Sequence, residues 1–256
     1  MSVTLRDVGV AYGGRSAVRS VDLDAAPGRV LALVGPNGSG KSSLLKAIAG
    51  LVLHTGRIDT AVEPSSGGLS YMPQSFQSCA GLTVLEVVLL GRVRSLALQV
   101  REVDIEAAAQ ALRLLGIGPI AGRAVDQLSG GQRQLVFLAQ SLVSGPRVLL
   151  LDEPVSALDL RNQLHVLDLV RGVTHARQLA TIIVLHDLTL AARYADEVAM
   201  MCDGRLVAIG SPAATLTSDR IAATFRVRVE TLTSPGGQLV IHPLGAMESP
   251  HQDAAS

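Results

Sequence analysis

The run Gly35-Pro36-Asn37-Gly38-Ser39-Gly40-Lys41-Ser42 carries the spacing GxxxxGK[ST]. In that spacing glycines let successive backbone N–H groups turn onto a phosphate, the lysine neutralises it, and the hydroxyl sits on a divalent cation. Lys41 is therefore expected at the β- and γ-phosphates of a nucleotide and Ser42 on Mg²⁺. Further along, Asp152-Glu153 closes the apolar run Val148-Leu149-Leu150-Leu151. Alone, such a pair is as readily a solvated loop or a helix cap. With the glycine loop present, Asp152 is expected to hold Mg²⁺, and Glu153 to orient or deprotonate an attacking water. His186 ends a similar run, Thr181-Ile182-Ile183-Val184-Leu185.

These residues need elements to carry them. Val30-Leu31-Ala32-Leu33-Val34 is continuously apolar, as in a strand buried on both faces of a parallel sheet. It feeds the glycine loop, and Lys41 onward reads as a helix closed by Gly50. Strand, loop and helix in that order make a phosphate site, to which the helix N-terminus adds partial positive charge. Open α/β sheets bind ligands beyond the C-terminal ends of their strands, where Asp152, Glu153 and His186 also arrive. A second helix start lies at Leu128-Ser129-Gly130-Gly131-Gln132. Ser129 is a good N-cap, and the residues from Gln132 to Gln140 are helical in pattern, giving a second potential anion site.

The glycine loop, LSGGQ and the acidic strand together resemble the ATP-binding cassette of ABC transporters over roughly residues 1 to 244. That resemblance implies ATP and Mg²⁺ as ligands, with Gly35, Pro36, Asn37, Gly38, Ser39, Gly40, Lys41, Ser42 and Ser43 around the phosphates. It implies that Gln74, after Tyr71-Met72-Pro73, contacts Mg²⁺ and the attacking water, and that His186 contacts the γ-phosphate. Tyr12, in Ala11-Tyr12-Gly13-Gly14, matches the aromatic that stacks on adenine; a half-exposed loop tyrosine is the plainer alternative. Because cassettes of this family face head to tail, Ser129, Gly130, Gly131 and Gln132 are implied to close on the γ-phosphate held by a second copy. Asp159, in Ser156-Ala157-Leu158-Asp159, would cross the same interface. The working unit implied is a homodimer enclosing two ATP molecules. Two departures from the family pattern are Ser43 and Val155, where Thr is usual.

The expected fold is α/β: a P-loop NTPase core with a mainly parallel sheet, about 1–78 and 144–244, and an inserted helical subdomain at about 79–143. Alternating patterns near Val3 to Val10 and Ala17 to Leu23 predict an N-terminal antiparallel β piece. Helices are predicted at Val84 to Leu90, Val103 to Leu115 and Thr217 to Phe225. A hairpin is predicted around Ser234-Pro235-Gly236-Gly237, and a small polar disordered tail over 245–256.

Twenty-two basic residues balance 22 acidic ones, so no global field argues for nucleic acid. At 48% hydrophobic the chain still lacks the run of about 18–20 apolar residues that spans a bilayer, and no signal peptide is legible. Cys79 and Cys202 show no metal or redox spacing and are expected as free thiols. The resemblance points to a separate ATPase at the cytoplasmic face of a membrane, docked on integral permease subunits and served indirectly by an extracytoplasmic binding protein. No coiled-coil insertion, second cassette or fused transmembrane helices are present to suggest DNA repair, translation or a full exporter. The stretch from His186 to Pro212, and the short C-terminal hairpin in place of a regulatory domain, resemble ATPases of iron–siderophore, heme and cobalamin importers. A detached exporter ATPase is the alternative.

Overall fold

The computed structural model describes residues 2–60, 68–74, 81–92 and 100–247. Strand β1 (Val3–Tyr12) pairs antiparallel with β2 (Arg15–Ala25) through the turn Gly13-Gly14. Their inward residues, Val3, Leu5, Val8, Val10, Val18, Val21 and Leu23, are buried while the others, Ala25 apart, are exposed or half-buried, a sheet with one wet face. A third strand, β4 (Thr55–Asp59), joins β1 from the far side. Its sequence, Thr-Gly-Arg-Ile-Asp, has no apolar alternation, and only pairing with β1 makes it a strand.

The larger sheet has the order β5-β6-β7-β3-β8-β9. Strands β5 (Leu69–Met72), β6 (Val148–Asp152), β7 (Ala180–Val184), β3 (Arg29–Val34) and β8 (Glu197–Cys202) run parallel. Strand β9 (Arg205–Gly210) turns back antiparallel through Asp203-Gly204 at the edge. The central strands β3, β6 and β7 are apolar apart from Arg29, Asp152 and Thr181, because both faces are covered. Leu31, Leu33, Val148, Leu150, Ile182 and Val184 meet the antiparallel sheet and helix α1 (Lys41–Ile48). Ala32, Val34, Leu149, Leu151 and Ile183 meet the helical side. Burying each such side chain stabilises by about 1.5–3 kcal/mol, and a one-residue slip would exchange the two sets.

On the helical side lie α2 (Val84–Leu90), α3 (Glu102–Leu114), α4 (Gly130–Val143), α5 (Leu160–Arg177) and α6 (Leu188–Tyr194). Thr83 and Glu86 form a capping box that starts α2. After β9 come α7 (Pro212–Thr215) and α8 (Ser218–Phe225). Arg226, left-handed at φ 56°, then turns the chain into the hairpin of β10 (Val227–Thr233) and β11 (Leu239–Ala246). The hairpin packs on α6, where the Thr189 Oγ1 accepts the Ile241 N–H at 3.1 Å. Strand β11 carries Gly245 and Ala246, so the chain is ordered past the boundary at 245 that composition suggested. Cys79 and residues 248–256 lie outside the described residues; Cys202 is a free thiol.

Candidate functional site

Parallel pairing puts four strand ends on one edge. Register pairs Met72 with Leu151, Asp152 with Val184, and Leu33 also with Val184. Gln74, Asp152-Glu153, His186 and the glycine loop therefore emerge side by side. Between them lies a cleft of about 500 Å³ lined by Ala17, by Asn37 through Ser43, and by Gln74, Glu153 and His186.

The loop is shaped by close backbone approaches. A Cβ on Gly35 would lie 2.2 Å from the Met201 carbonyl oxygen, and one on Gly40 would lie 2.4 Å from that of Ala17. Gly40 is left-handed at φ 100° and starts α1 with no side-chain cap, so the first N–H groups of the helix are left for a ligand. The β8–β9 turn braces the loop, Gly204 N–H donating to the Ser39 carbonyl at 3.1 Å.

Lys41 is only 5% exposed. Its ammonium donates to the carbonyls of Gly35 at 2.8 Å and Pro36 at 2.9 Å, and to Ser39 Oγ at 3.4 Å. Burial pulls its pKa below the usual lysine range, and the nearby carboxylates of Glu153 and Asp152 pull it back up. Asp152, 1% exposed, has its pKa raised by burial, partly offset by the hydroxyl of Ser42, which donates to Oδ1 at 3.1 Å. Lys41 lines the cleft, and Asp152 lies behind Ser42, which lines it too.

Glu153 sits at φ 55°, left-handed and uncommon for a residue with a side chain. The chain thereby reverses after β6 and aims the carboxylate into the cleft, where Oε1 lies 2.5 Å from His186 Nε2. Sequence reasoning overlooked Tyr71, whose hydroxyl donates to Asp152 Oδ2 at 3.4 Å. No local signal marks it; only the register places Tyr71 beside Leu150, whose side chain shares the face of Asp152. Asp152 and burial together raise the phenol pKa, burial being the larger cause, so the hydroxyl remains a donor.

Gly35, Pro36 and Asp152 are not among the lining residues, and three further groups expected at the nucleotide also stand outside the cleft lining. Tyr12, at the end of β1, is 47% exposed. Ser129 caps α4: its Oγ accepts the Gln132 N–H at 3.2 Å, and Gln132 Oε1 accepts the Ser129 N–H at 3.2 Å. Ser129 and Gly130 are exposed, with Gly131 packed on the Ala157 carbonyl. Asp159 caps α5, accepting the Asn162 N–H at 2.8 Å. Within the single chain, both segments are satisfied by their own helices.

The ABC transporter family model matches residues 18–156. The chain is 37% identical over 253 residues to the hemin import ATP-binding protein HmuV of Mesorhizobium japonicum, covering 93% of this chain and 96% of that one. It is 35% identical over 254 residues to the cobalamin import ATP-binding protein BtuD of Halobacterium salinarum, covering 95% of this chain and 64% of the relative. Among solved structures, a transporter described as of the metal-chelate ABC type, in an inward-facing conformation, superposes with a TM-score of 0.84 at 27% identity. That match covers 96% of this chain and 98% of the other. A glycine loop, an acidic strand end and an LSGGQ helix on this sheet, matched along nearly their whole length, place the chain in the ABC transporter family as an ATP-hydrolysing cassette subunit.

Proposed function

We propose that this cassette powers an importer of an iron chelate, a siderophore or heme, with cobalamin as the nearest alternative cargo. The observation that carries the reading is the likeness, over more than nine-tenths of the chain, to a hemin import ATP-binding protein. The cargo is recognised by other subunits. Among the described residues no group of three or more His, Cys, Asp or Glu could hold a metal ion, and no helix is long and apolar enough to cross a membrane.

In this reading the nucleotide phosphates replace the carbonyls now held by Lys41, and the loop from Gly35 to Ser43 wraps them. Tyr12 stacks on adenine. Ser42 and Asp152 offer a hydroxyl and a carboxylate oxygen 3.1 Å apart, a sparse oxygen set that suits Mg²⁺, which keeps water and phosphate oxygens for its other positions. Mg²⁺, when bound, neutralises charge on the β- and γ-phosphates. Gln74 belongs beside that ion and the attacking water. Glu153 orients the water and takes its proton, while His186 moves from Glu153 to the γ-phosphate.

Closure needs a second copy, whose Ser129, Gly130, Gly131 and Gln132 reach the γ-phosphate and whose Asp159 crosses the interface. The single chain's own signature lies outside its cleft, which favours this arrangement. We read 1–244 as one cassette in which helices of the segment 79–143 transmit closure to integral permease subunits at the cytoplasmic face. An extracytoplasmic binding protein delivers the cargo.

A strain lacking this chain is expected to grow poorly when a chelate is its sole iron source and to recover with excess free iron. Normal uptake of labelled chelate, with lost efflux of a drug or lipid, would overturn the importer reading in favour of a detached exporter ATPase.

A further inference from the structure

Gln134, on the second turn of α4, is 3% exposed and makes contacts that none of the phosphate machinery explains. Its side-chain nitrogen donates to the backbone carbonyl of Glu153 at 2.7 Å and to Ser156 Oγ at 3.3 Å. Its side-chain oxygen accepts the Ala157 N–H at 3.1 Å. The orientation of the amide follows from chemistry, since a carbonyl requires a donor and an N–H requires an acceptor.

The residue held this way is under constraint. Glu153 keeps its left-handed φ of 55° because its surroundings over-determine it. The Ser156 N–H and hydroxyl also donate to the Glu153 carbonyl, at 3.4 and 3.2 Å. The carbonyl is thus pinned on the α4 side while the carboxylate faces His186 across the cleft. The helix and the turn also touch directly: a Cβ on Gly131 would meet the Ala157 carbonyl at 3.0 Å and Leu158 Cδ2 at 3.2 Å.

We infer that Gln134 is a positioning residue that ties the orientation of the Glu153 carboxylate to the seating of the signature helix. One side chain then links the helix whose start is LSGGQ, the turn at Ser156-Ala157 and the peptide of the hydrolytic glutamate. A shift of the α4 start reaches the peptide of Glu153 through one amide, with no intervening side chain. The inference rests on the reading of Glu153 as the group that acts on water.

The test uses the purified full-length chain. Gln134→Met keeps the volume and removes all three hydrogen bonds. Gln134→Glu keeps the acceptor for Ala157 and sets an acceptor in place of the donor against the Glu153 carbonyl, so it reads the Glu153 arm separately from the Ala157 arm. In both, kcat for ATP hydrolysis is expected to fall by about tenfold to a hundredfold, the scale of a slightly misplaced catalytic group, with the Kd for ATP within about twofold of wild type. On a Glu153→Gln background, either change is expected to add little further loss, because both act through one group. Wild-type kcat in both variants, ATP affinity falling in step with kcat, or a full additional loss on the Glu153→Gln background would each overturn the inference. Near-wild-type turnover by Glu153→Gln itself would instead overturn the role of Glu153 and remove the ground on which the inference rests.

Discussion

Helix α1 begins at Gly40, left-handed and with no side chain over its amides, whereas α4 begins at Ser129, whose hydroxyl and N–H are both taken by Gln132. The first follows a glycine-rich loop and the second carries Gly130 and Gly131 in its own first turn, and both aim a helix dipole outward. The first is half-buried, packed against Met201 and Ala17, and has no side-chain cap. The second is exposed and capped by its own Ser129 and Gln132. In the proposed reading the uncapped, enclosed helix end takes the chain's own nucleotide. A self-capped, exposed one is a surface that a second molecule can use without the single chain being unstable in its absence.

The largest expected effect tests whether the two ends meet across two copies. Glu153→Gln keeps the shape and loses the base, so hydrolysis should fall by roughly 10²–10⁴-fold in a phosphate-release assay. ATP should still bind, and the variant should accumulate as a dimer by light scattering. A monomer at saturating ATP would break the comparison by leaving α4 without a ligand.

The enclosed end is tested next. Gly35→Ala drives a Cβ into the Met201 carbonyl, which has no room to retreat inside the sheet. ATP affinity should fall by at least about a hundredfold, the consequence of roughly 3 kcal/mol of misfit, measured by titration calorimetry.

Ser129→Asp sharpens the contrast, because Asp caps a helix as well as Ser does. The unfolding temperature and the ATP affinity of the single chain should hold, while a carboxylate facing the partner's phosphate should slow hydrolysis by about tenfold or more. Unchanged hydrolysis would mean that this end never reads a nucleotide. Tyr12→Ala should raise the Kd for ATP about tenfold if stacking contributes about 1–2 kcal/mol. An unchanged Kd would assign the exposed ring to the surface.

The smallest effect concerns the nucleotide-free chain. Burial raises the pKa of Asp152, so its ionised form costs stability above the ordinary carboxylate range, and the cost vanishes as pH falls below that range. Asp152→Asn should therefore raise the unfolding temperature of the nucleotide-free chain by a few degrees at pH 7 while impairing Mg²⁺-dependent hydrolysis. A lowered unfolding temperature would show that the Ser42 and Tyr71 hydrogen bonds outweigh the burial of charge.

Local signals were legible where one segment carried the whole instruction. Val30 to Val34 and Val148 to Leu151 are apolar throughout because both faces of β3 and β6 are covered. Ser129 with Gln132, three residues on, announced the start of α4. Strand β4 was illegible because four of its five residues are exposed, and hydrogen bonds to β1 alone make it a strand. Strand β9 alternates half-buried and exposed positions, and its antiparallel direction came from the tight turn after β8. Tyr71 and Gln134 gave no signal as site residues, since a tyrosine in a strand and a glutamine in a helix acquire roles only from their neighbours.

By itself the sequence determined the chemistry at hand: a glycine loop with a lysine, paired carboxylates after an apolar strand, a histidine after another, and a self-capping LSGGQ helix. Those are properties of adjacent residues, where backbone freedom, charge and capping act within a turn or two. The tertiary structure alone decided that Asp152 would be buried against Tyr71 and Ser42, that Glu153 would reverse the chain beside His186, and that Gln134 would hold its carbonyl. Those contacts join residues brought together by the parallel order of the strands and the packing of α4 on the sheet, and no local propensity encodes a partner that distant.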